Sequence, residues 1–452
     1  MNIIIVGCGN VGATLAEQLS QENHYVTMIE NERVEAAEQL AASYDVMAVM
    51  GTGASTTVLK EAGVENADLV IAVTGHDELN LLACVVAKNA GAKDTIARVS
   101  NPEYSKEIAT IKKTLGLSMV INPQSITAKE MSGLLKYPSA KNFDSFVRSR
   151  VDIVSFALKE KNPLIERSLR ELSDILKGDI LIPIVERDDQ VIIPDGNFEL
   201  YEGDIVSVMG STENMVEFVD KMKMPRVAAR DAMILGGGRT TYYLGKVLIQ
   251  LGVKVKVIEK DRDRANLLSE LLPKATVIEG DATDKNLLLE EGIADMDAIV
   301  ATTKYDEENL MLSFYAKKVS NAKVITKIHR TSYDEVIDDL DLDSVVYPRQ
   351  LTAEVILKYV RAKNNSADTK IETLYRLNDN QAEALEFEIN EGSPLAGKVI
   401  SEIDLKPGVI IGTVNHKGLP ELAKGHTKIE QGDTIVIITT RTGITDIKDA
   451  IR

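Results

Sequence analysis

The chain has 452 residues, 44% of them hydrophobic and 27% charged, with a formal net charge of −17. That length predicts two to four domains of roughly 100–200 residues each. The charge, with no Trp and only 4% aromatic residues to stack bases, argues against a nucleic-acid partner or binding to an anionic lipid surface. Two cysteines, Cys8 and Cys84, supply neither a disulfide framework nor a thiolate zinc site, and no apolar run approaches the roughly 18 residues that span a bilayer. The expectation is a cytosolic protein of a reducing compartment, without a secretory signal.

The chain enters a strand at once. Apolar runs rich in Val and Ile near 2–6, 25–29, 46–49, 69–73, 95–99 and 118–121 alternate with helical stretches, the pattern of a parallel α/β sheet with helices on both faces. Leu15, Ala16 and Leu19 recur at helical spacing after the first run, which predicts a buried helix face. From about Lys141 the texture changes to short strands near 151–156, 179–185, 191–193 and 204–208, a small α+β lobe. Residues 222–225 read as a joint.

After the joint the pattern begins again, with strands expected near 231–235, 253–258, 275–278, 297–301, 323–328 and 344–347 and a helix burying Leu244, Val247, Leu248 and Leu251. A polar stretch at 363–368 reads as a linker into a last lobe, with strands near 386–389, 409–414 and 434–438. The second half repeats the first at an offset of 229, the separation of Gly7 from Gly236. The offset pairs Glu30 with Glu259, Gly51 with Gly280, Thr74 with Thr303, Asn80 with Asn309, and Gly203-Asp204 with Gly432-Asp433. A duplicated unit in one register must share a structural cause. The expected domains are 1–140, 141–225, 226–362 and 363–452: two tandem Rossmann-like parallel-sheet domains, each followed by a small α+β domain.

The chemistry sits at the glycines. Gly7-Cys8-Gly9-Asn10-Val11-Gly12 follows a β run and opens a helix, the context of a dinucleotide fingerprint. Gly7 permits the tight turn, Gly9 lets the backbone approach a pyrophosphate, and Gly12 lets helix and strand pack closely. Glu30, at the end of the second strand, is placed to accept hydrogen bonds from ribose hydroxyls and disfavours a 2′-phosphate. The second copy reads Gly236-Gly237-Gly238-Arg239-Thr240-Thr241 with Glu259 retained. Thr241 in place of the third glycine should hold its helix slightly off the sheet, while Arg239 still suits a phosphate.

Further along the carboxyl edges, Thr52 in the first half faces Asp281 and Ala282 in the second, where Asp281 could accept from an adenine amino group. Thr74-Gly75 and Thr303 follow the fourth strands, as turn caps or as ligand contacts. Arg98 and Lys327 end the fifth strands within reach of phosphates. The five histidines occupy no shared repeat position and no metal spacing, so no metal site is expected. His76 is the best general-base candidate, yet its counterpart is Tyr305. A nucleotide is bound and nothing obvious reacts with it.

Gly7-Cys-Gly-Asn-Val-Gly12 with Glu30, the runs 68–74 and 77–80, Ala97-Arg98 and Asn122-Pro123 resemble the RCK/KTN nucleotide-binding domain, and the small lobes resemble its companion RCK-C domain. Two such pairs in tandem, covering essentially the whole chain, resemble the TrkA family of cytosolic regulatory subunits of bacterial Trk potassium uptake systems. The resemblance implies a peripheral protein on the inner membrane face, a homotetramer beneath a TrkH-type membrane subunit. It implies NAD(H) or ATP/ADP as regulatory ligands rather than substrates, with contacts at Gly7, Gly9, Gly12, Glu30, Thr74 and Arg98. By position these extend to Gly236, Gly238, Glu259, Asp281, Thr303 and Lys327. The helices after Asn122-Pro123 and Tyr347-Pro348 either cross to a neighbouring lobe or pack on their own sheets. A rival reading is a nicotinamide-dependent dehydrogenase with the small lobe as substrate domain.

Overall fold

The computed structural model describes residues 1–105, 107–137, 140–146, 151–160, 162–176, 180–188, 190–222, 229–330, 337, 340, 342–364, 371–377, 381–417, 419–441, 444 and 446–452. Residues 223–225 of the expected joint, 365–368 of the expected linker and Asp179 of an expected strand lie outside them. The chain forms two compact units, one of residues 1–129 with 231–357, the other of residues 130–230 with 358–452.

In chain order the first sheet comprises β1 (Asn2–Val6), β2 (Tyr25–Glu30), β3 (Val46–Met50), β4 (Leu69–Ala72), β5 (Asp94–Arg98) and β6 (Met119–Ile121). All pairs are parallel, in the order β3-β2-β1-β4-β5-β6. Next come β7 (Ala140–Phe146), β8 (Val151–Ala157), β9 (Leu181–Arg187), β10 (Gln190–Ile192) and β11 (Ile205–Ser211). They make an antiparallel sheet ordered β10-β9-β11-β8-β7. The duplication then shows in the topology. The strands β12 (Asp231–Leu235), β13 (Lys254–Glu259), β14 (Thr276–Glu279), β15 (Ala298–Ala301), β16 (Lys323–Lys327) and β17 (Ser344–Val346) repeat the first order as β14-β13-β12-β15-β16-β17. The strands β18 (Ile371–Leu377), β19 (Ala382–Glu388), β20 (Val409–His416), β21 (Leu419–Leu422) and β22 (Thr434–Thr439) repeat the second as β18-β19-β22-β20-β21.

The parallel sheets form because their central strands are apolar on both faces. Ile3, Ile4, Ile5 and Val6 are all buried, as are Ala232, Met233, Ile234 and Leu235, and each such Val, Leu, Ile or Met side chain contributes roughly 1.5–3 kcal/mol. Strand order reverses beside β1 and beside β12, so the carboxyl ends of β1 and β4, and of β12 and β15, bound a crevice where open α/β sheets bind ligands. The helices Asn10–Gln21 and Arg239–Gln250 start there. Leu15, Ala16 and Leu19 are buried as expected, and so are Leu244 and Leu248. Leu251 is not: it is 60% exposed, because the helix ends at Gln250 and the chain turns through Gly252 at positive φ.

In the second unit Val151, Ile153, Ile184 and Met209 pack against Ala382, Ala384, Val436 and Ile438, so one face of each antiparallel sheet forms a joint core. The repeated Gly-Asp pair explains itself here. Gly203 and Gly432 hold φ of 90° and 87°, and each aspartate folds its carboxylate back onto the turn. Asp204 accepts from the Tyr201 amide at 2.8 Å and Asp433 from the Glu430 amide at 2.5 Å. Arg187 clamps Asp204 with two bonds of 2.7 and 2.8 Å, where His416 bonds Asp433 at 2.9 Å.

Candidate functional site

Each glycine turn is fixed by sterics. Gly7 and Gly236 have φ near +105°, and a Cβ on either would lie 3.0 Å from the backbone of Thr74 or Thr303. A Cβ on Gly9 or Gly238 would meet nothing within 4 Å, so the chain is open toward the crevice there. Gly9 and Gly238 are also the N-caps of their helices, with no side-chain cap on either. The first-turn N–H groups and the helix dipole thus face the crevice, an arrangement suited to an anion. At the third motif position the copies part. A Cβ on Gly12 would sit 1.9 Å from the Gly7 carbonyl oxygen, whereas Thr241 occupies the same place and its hydroxyl donates to the Gly236 carbonyl at 2.5 Å. The second turn thus accommodates a side chain that the first has no room for.

The carboxylates at the strand ends are engaged by the backbone. Glu30 accepts from the amides of Cys8 at 2.5 Å, Asn31 at 2.8 Å, Glu32 at 2.9 Å and Arg33 at 3.3 Å. Burial pushes its carboxyl up, but these N–H donors outweigh it and hold the group below the ordinary carboxylate range. Glu259 accepts from Gly237 at 2.6 Å and Asp261 at 2.7 Å, and also from the guanidinium of Arg264 at 3.1 Å. Both acids tie the glycine turn to the end of the neighbouring strand.

The turn after the fourth strand is built twice on one asparagine. Asn80, fully buried, accepts from the Thr74 amide at 2.9 Å and hydroxyl at 2.7 Å, and donates to the carbonyls of Thr74 at 3.2 Å and Arg98 at 3.0 Å. Asn309 accepts from the Thr303 amide at 2.8 Å and donates to Thr303 and Lys327 carbonyls at 3.3 and 2.9 Å. The threonines thus act as turn caps while facing the crevice. Arg98 donates to the Thr74 carbonyl at 3.2 Å, with its Nε buried and unpartnered. Burial lowers its pKa, with Asp77 opposing and Arg239 reinforcing. Lys327, 7% exposed, donates to the Thr302 carbonyl at 2.9 Å, and burial pushes its amine down to about 8.

Two cavities result, of about 550 and 980 Å³. The first gathers Gly7, Gly9, Asn10, Val11, Glu30, Thr52, Thr74, Gly75 and Arg98. Cys8 and Gly12 lie behind its wall: the Cys8 side chain is buried, and Gly12 faces the Gly7 carbonyl. The second gathers Gly236, Gly238, Arg239, Thr240, Glu259, Asp281, Ala282, Thr303 and Lys327. Asp281 spends one oxygen on its own turn, accepting from the Thr283 amide at 2.9 Å and hydroxyl at 2.8 Å. Sequence reasoning missed Lys260, Arg264, His329, Gln124 and Arg349. Gln124 stands in the second cavity although it belongs to the first half, and Arg349 the reverse. A signal for these two existed, since each follows the proline of a duplicated helix start. Those helix starts do touch the neighbouring lobe: Asn122 donates to the Tyr243 hydroxyl at 2.9 Å, and Arg349 Nε to the Thr14 hydroxyl. Among the described residues no group of His, Cys, Asp and Glu could hold a metal ion, and no helix is long and apolar enough to cross a membrane.

Residues 3–123 and 232–348 match the family model of the TrkA-N domain, and residues 153–223 and 384–452 that of the TrkA-C domain. The chain belongs to the TrkA family. It is 32% identical to the Trk system potassium uptake protein TrkA of Haemophilus influenzae, over 97% of this chain and 95% of that one. It is 32% identical to TrkA homolog 1 of Methanosarcina mazei over 99% of both. Among solved structures, the GsuK channel bound to NAD superposes with a TM-score of 0.63 at 18% identity, over 97% of this chain and 76% of that one. The GsuK RCK domain does so with a TM-score of 0.63 at 17% identity, over 97% and 92%. These confirm the tandem RCK architecture. As a TrkA protein the chain is a regulatory subunit of potassium transport and not an enzyme. The dehydrogenase reading falls with that finding.

Proposed function

We propose that the chain senses nucleotides and gates potassium flux through a membrane partner. The observation that carries this reading is the pair of cavities, each bounded by a glycine turn, an uncapped helix start and a strand-end cation, half-buried at Arg98 and buried at Lys327. The ligands proposed are NAD(H) and ATP/ADP, held at the residues that line each cavity, with Gly12 shaping the first from behind. GsuK, which shares the fold, has been solved both bound to NAD and bound to ADP, and this supports the choice. The proposed assembly is a homotetrameric ring at the inner membrane face beneath a TrkH-type subunit, built from domains 1–140, 141–225, 226–362 and 363–452. A ligand shifts such a ring only by its differential affinity for two ring states.

Calorimetry with NAD+, NADH, ATP and ADP, paired with potassium flux through the reconstituted transporter, tests this. Gly9→Asp places a carboxylate in the open space at the first turn and is expected to abolish binding there and change nucleotide-dependent flux. Flux indifferent to all four nucleotides, and to Gly9→Asp, would sink the gating reading.

A further inference from the structure

The two cavities share a wall. Asn10, Gln124, Thr240, Lys327 and His329 line both. The exchange follows the repeat: the residue after each helix-starting proline, and one from each glycine-turn helix, reach into the other lobe's cavity. Of the five shared residues, Asn10, Gln124 and Thr240 are uncharged, and the His329 ring is bound to the Asp306 carboxylate at 2.8 Å. Lys327 is the shared ammonium. Its Nζ spends one donor on the Thr302 carbonyl, and an ammonium has three.

Building on the nucleotide reading above, we propose that the two cavities are antagonistic anion sites that contend for Lys327: a phosphate-bearing ligand in one lowers the affinity of the other for a second. A buried ammonium attracts an anion strongly because the surrounding dielectric is low, and one ammonium offsets one charge. The second phosphate to arrive meets a cation already neutralised and a like charge held at that same cation, and screening acts only beyond a Debye length of about 8–10 Å. By linkage the penalty is the same whichever cavity fills first, and couplings of this kind are typically about 5–150-fold.

The test is calorimetric titration of the full chain and two single-site variants, Gly9→Leu and Gly238→Leu. A Cβ at either glycine meets nothing within 4 Å, and their φ values of −71° and −74° suit any residue, so the added side chain enters the cavity rather than the core. ADP is the probe, with NAD+ for a variant that takes no ADP. The second ligand is expected to bind the wild type about tenfold more weakly than it binds the matching single-site variant. Lys327→Met should bind more weakly at both sites with that ratio near one, and Lys327→Arg should keep the antagonism. Wild-type constants equal to the single-site constants overturn the proposal, as does antagonism undiminished in Lys327→Met, or a single-site variant that takes neither probe. Absence of all nucleotide binding to the wild type would bring down the nucleotide reading as well, whereas two independent sites would bring down this proposal alone.

Discussion

Glu30 looks in the sequence like a ribose ligand, and in the structure four backbone N–H groups already point at it. Its first task is therefore to hold the glycine turn against the end of β2, which positions the crevice before any ligand arrives. Glu30→Gln puts an amide NH2 where an acceptor is needed, and the expected cost is about 1–3 kcal/mol. The pH dependence has a definite sign. Because the folded carboxyl lies below its ordinary value of 4.5, its stabilisation is fully present above that value and fades as pH falls through the lower folded pKa. Denaturant titrations of wild type and Glu30→Gln should thus differ by a constant amount near neutrality and converge in acid; a gap that stays constant down to the acid transition would refute the role. The glutamates were legible as residues but their partners were not, since no spacing rule says which amides a turn will aim at a side chain.

At the scale of elements, the parallel strands were read nearly in place because strands buried on both faces are continuous apolar runs. Those missed were β7, β18 and β21. The sequence of β7, Ala140-Lys-Asn-Phe-Asp-Ser-Phe146, mixes polar residues with few apolar ones, and β7, β18 and β21 all lie at sheet edges, where pairing rather than patterning makes the strand. The asparagine after each fourth strand was visible as a repeat, but its work was hidden: it joins the turn after one strand to the end of the next. Removing Asn80 leaves part-buried backbone groups of Thr74 and Arg98 without their partner, at an expected cost of roughly 1 kcal/mol. Hydrogen exchange should then speed up at Thr74 while the Thr303 amide keeps its wild-type protection, and Asn309→Ala should do the reverse. Equal acceleration in both lobes would show that the turns are not locally held.

For the molecule as a whole, no reading of one half alone could have found that the lobes complete each other's cavities. The contact is carried by helix starts and by Tyr243, which is buried, accepts from Asn122 at 2.9 Å and donates to the Ser100 carbonyl at 3.4 Å. Tyr243→Phe keeps the ring and removes the hydroxyl. A double-mutant cycle with Asn122→Ala on thermal stability should give a coupling of about 0.5–1.5 kcal/mol, and a value near zero would mean the bond adds nothing to lobe pairing. The tandem arrangement has one last consequence. Two identical chains pairing about a two-fold axis would present the same residues to both cavities, so a single codon change would alter both at once. Here Arg349 reaches into the first cavity and Gln124 into the second from equivalent helix starts, one a cation and the other neutral. Fusion has broken that symmetry constraint, leaving each cavity free to be selected for its own ligand.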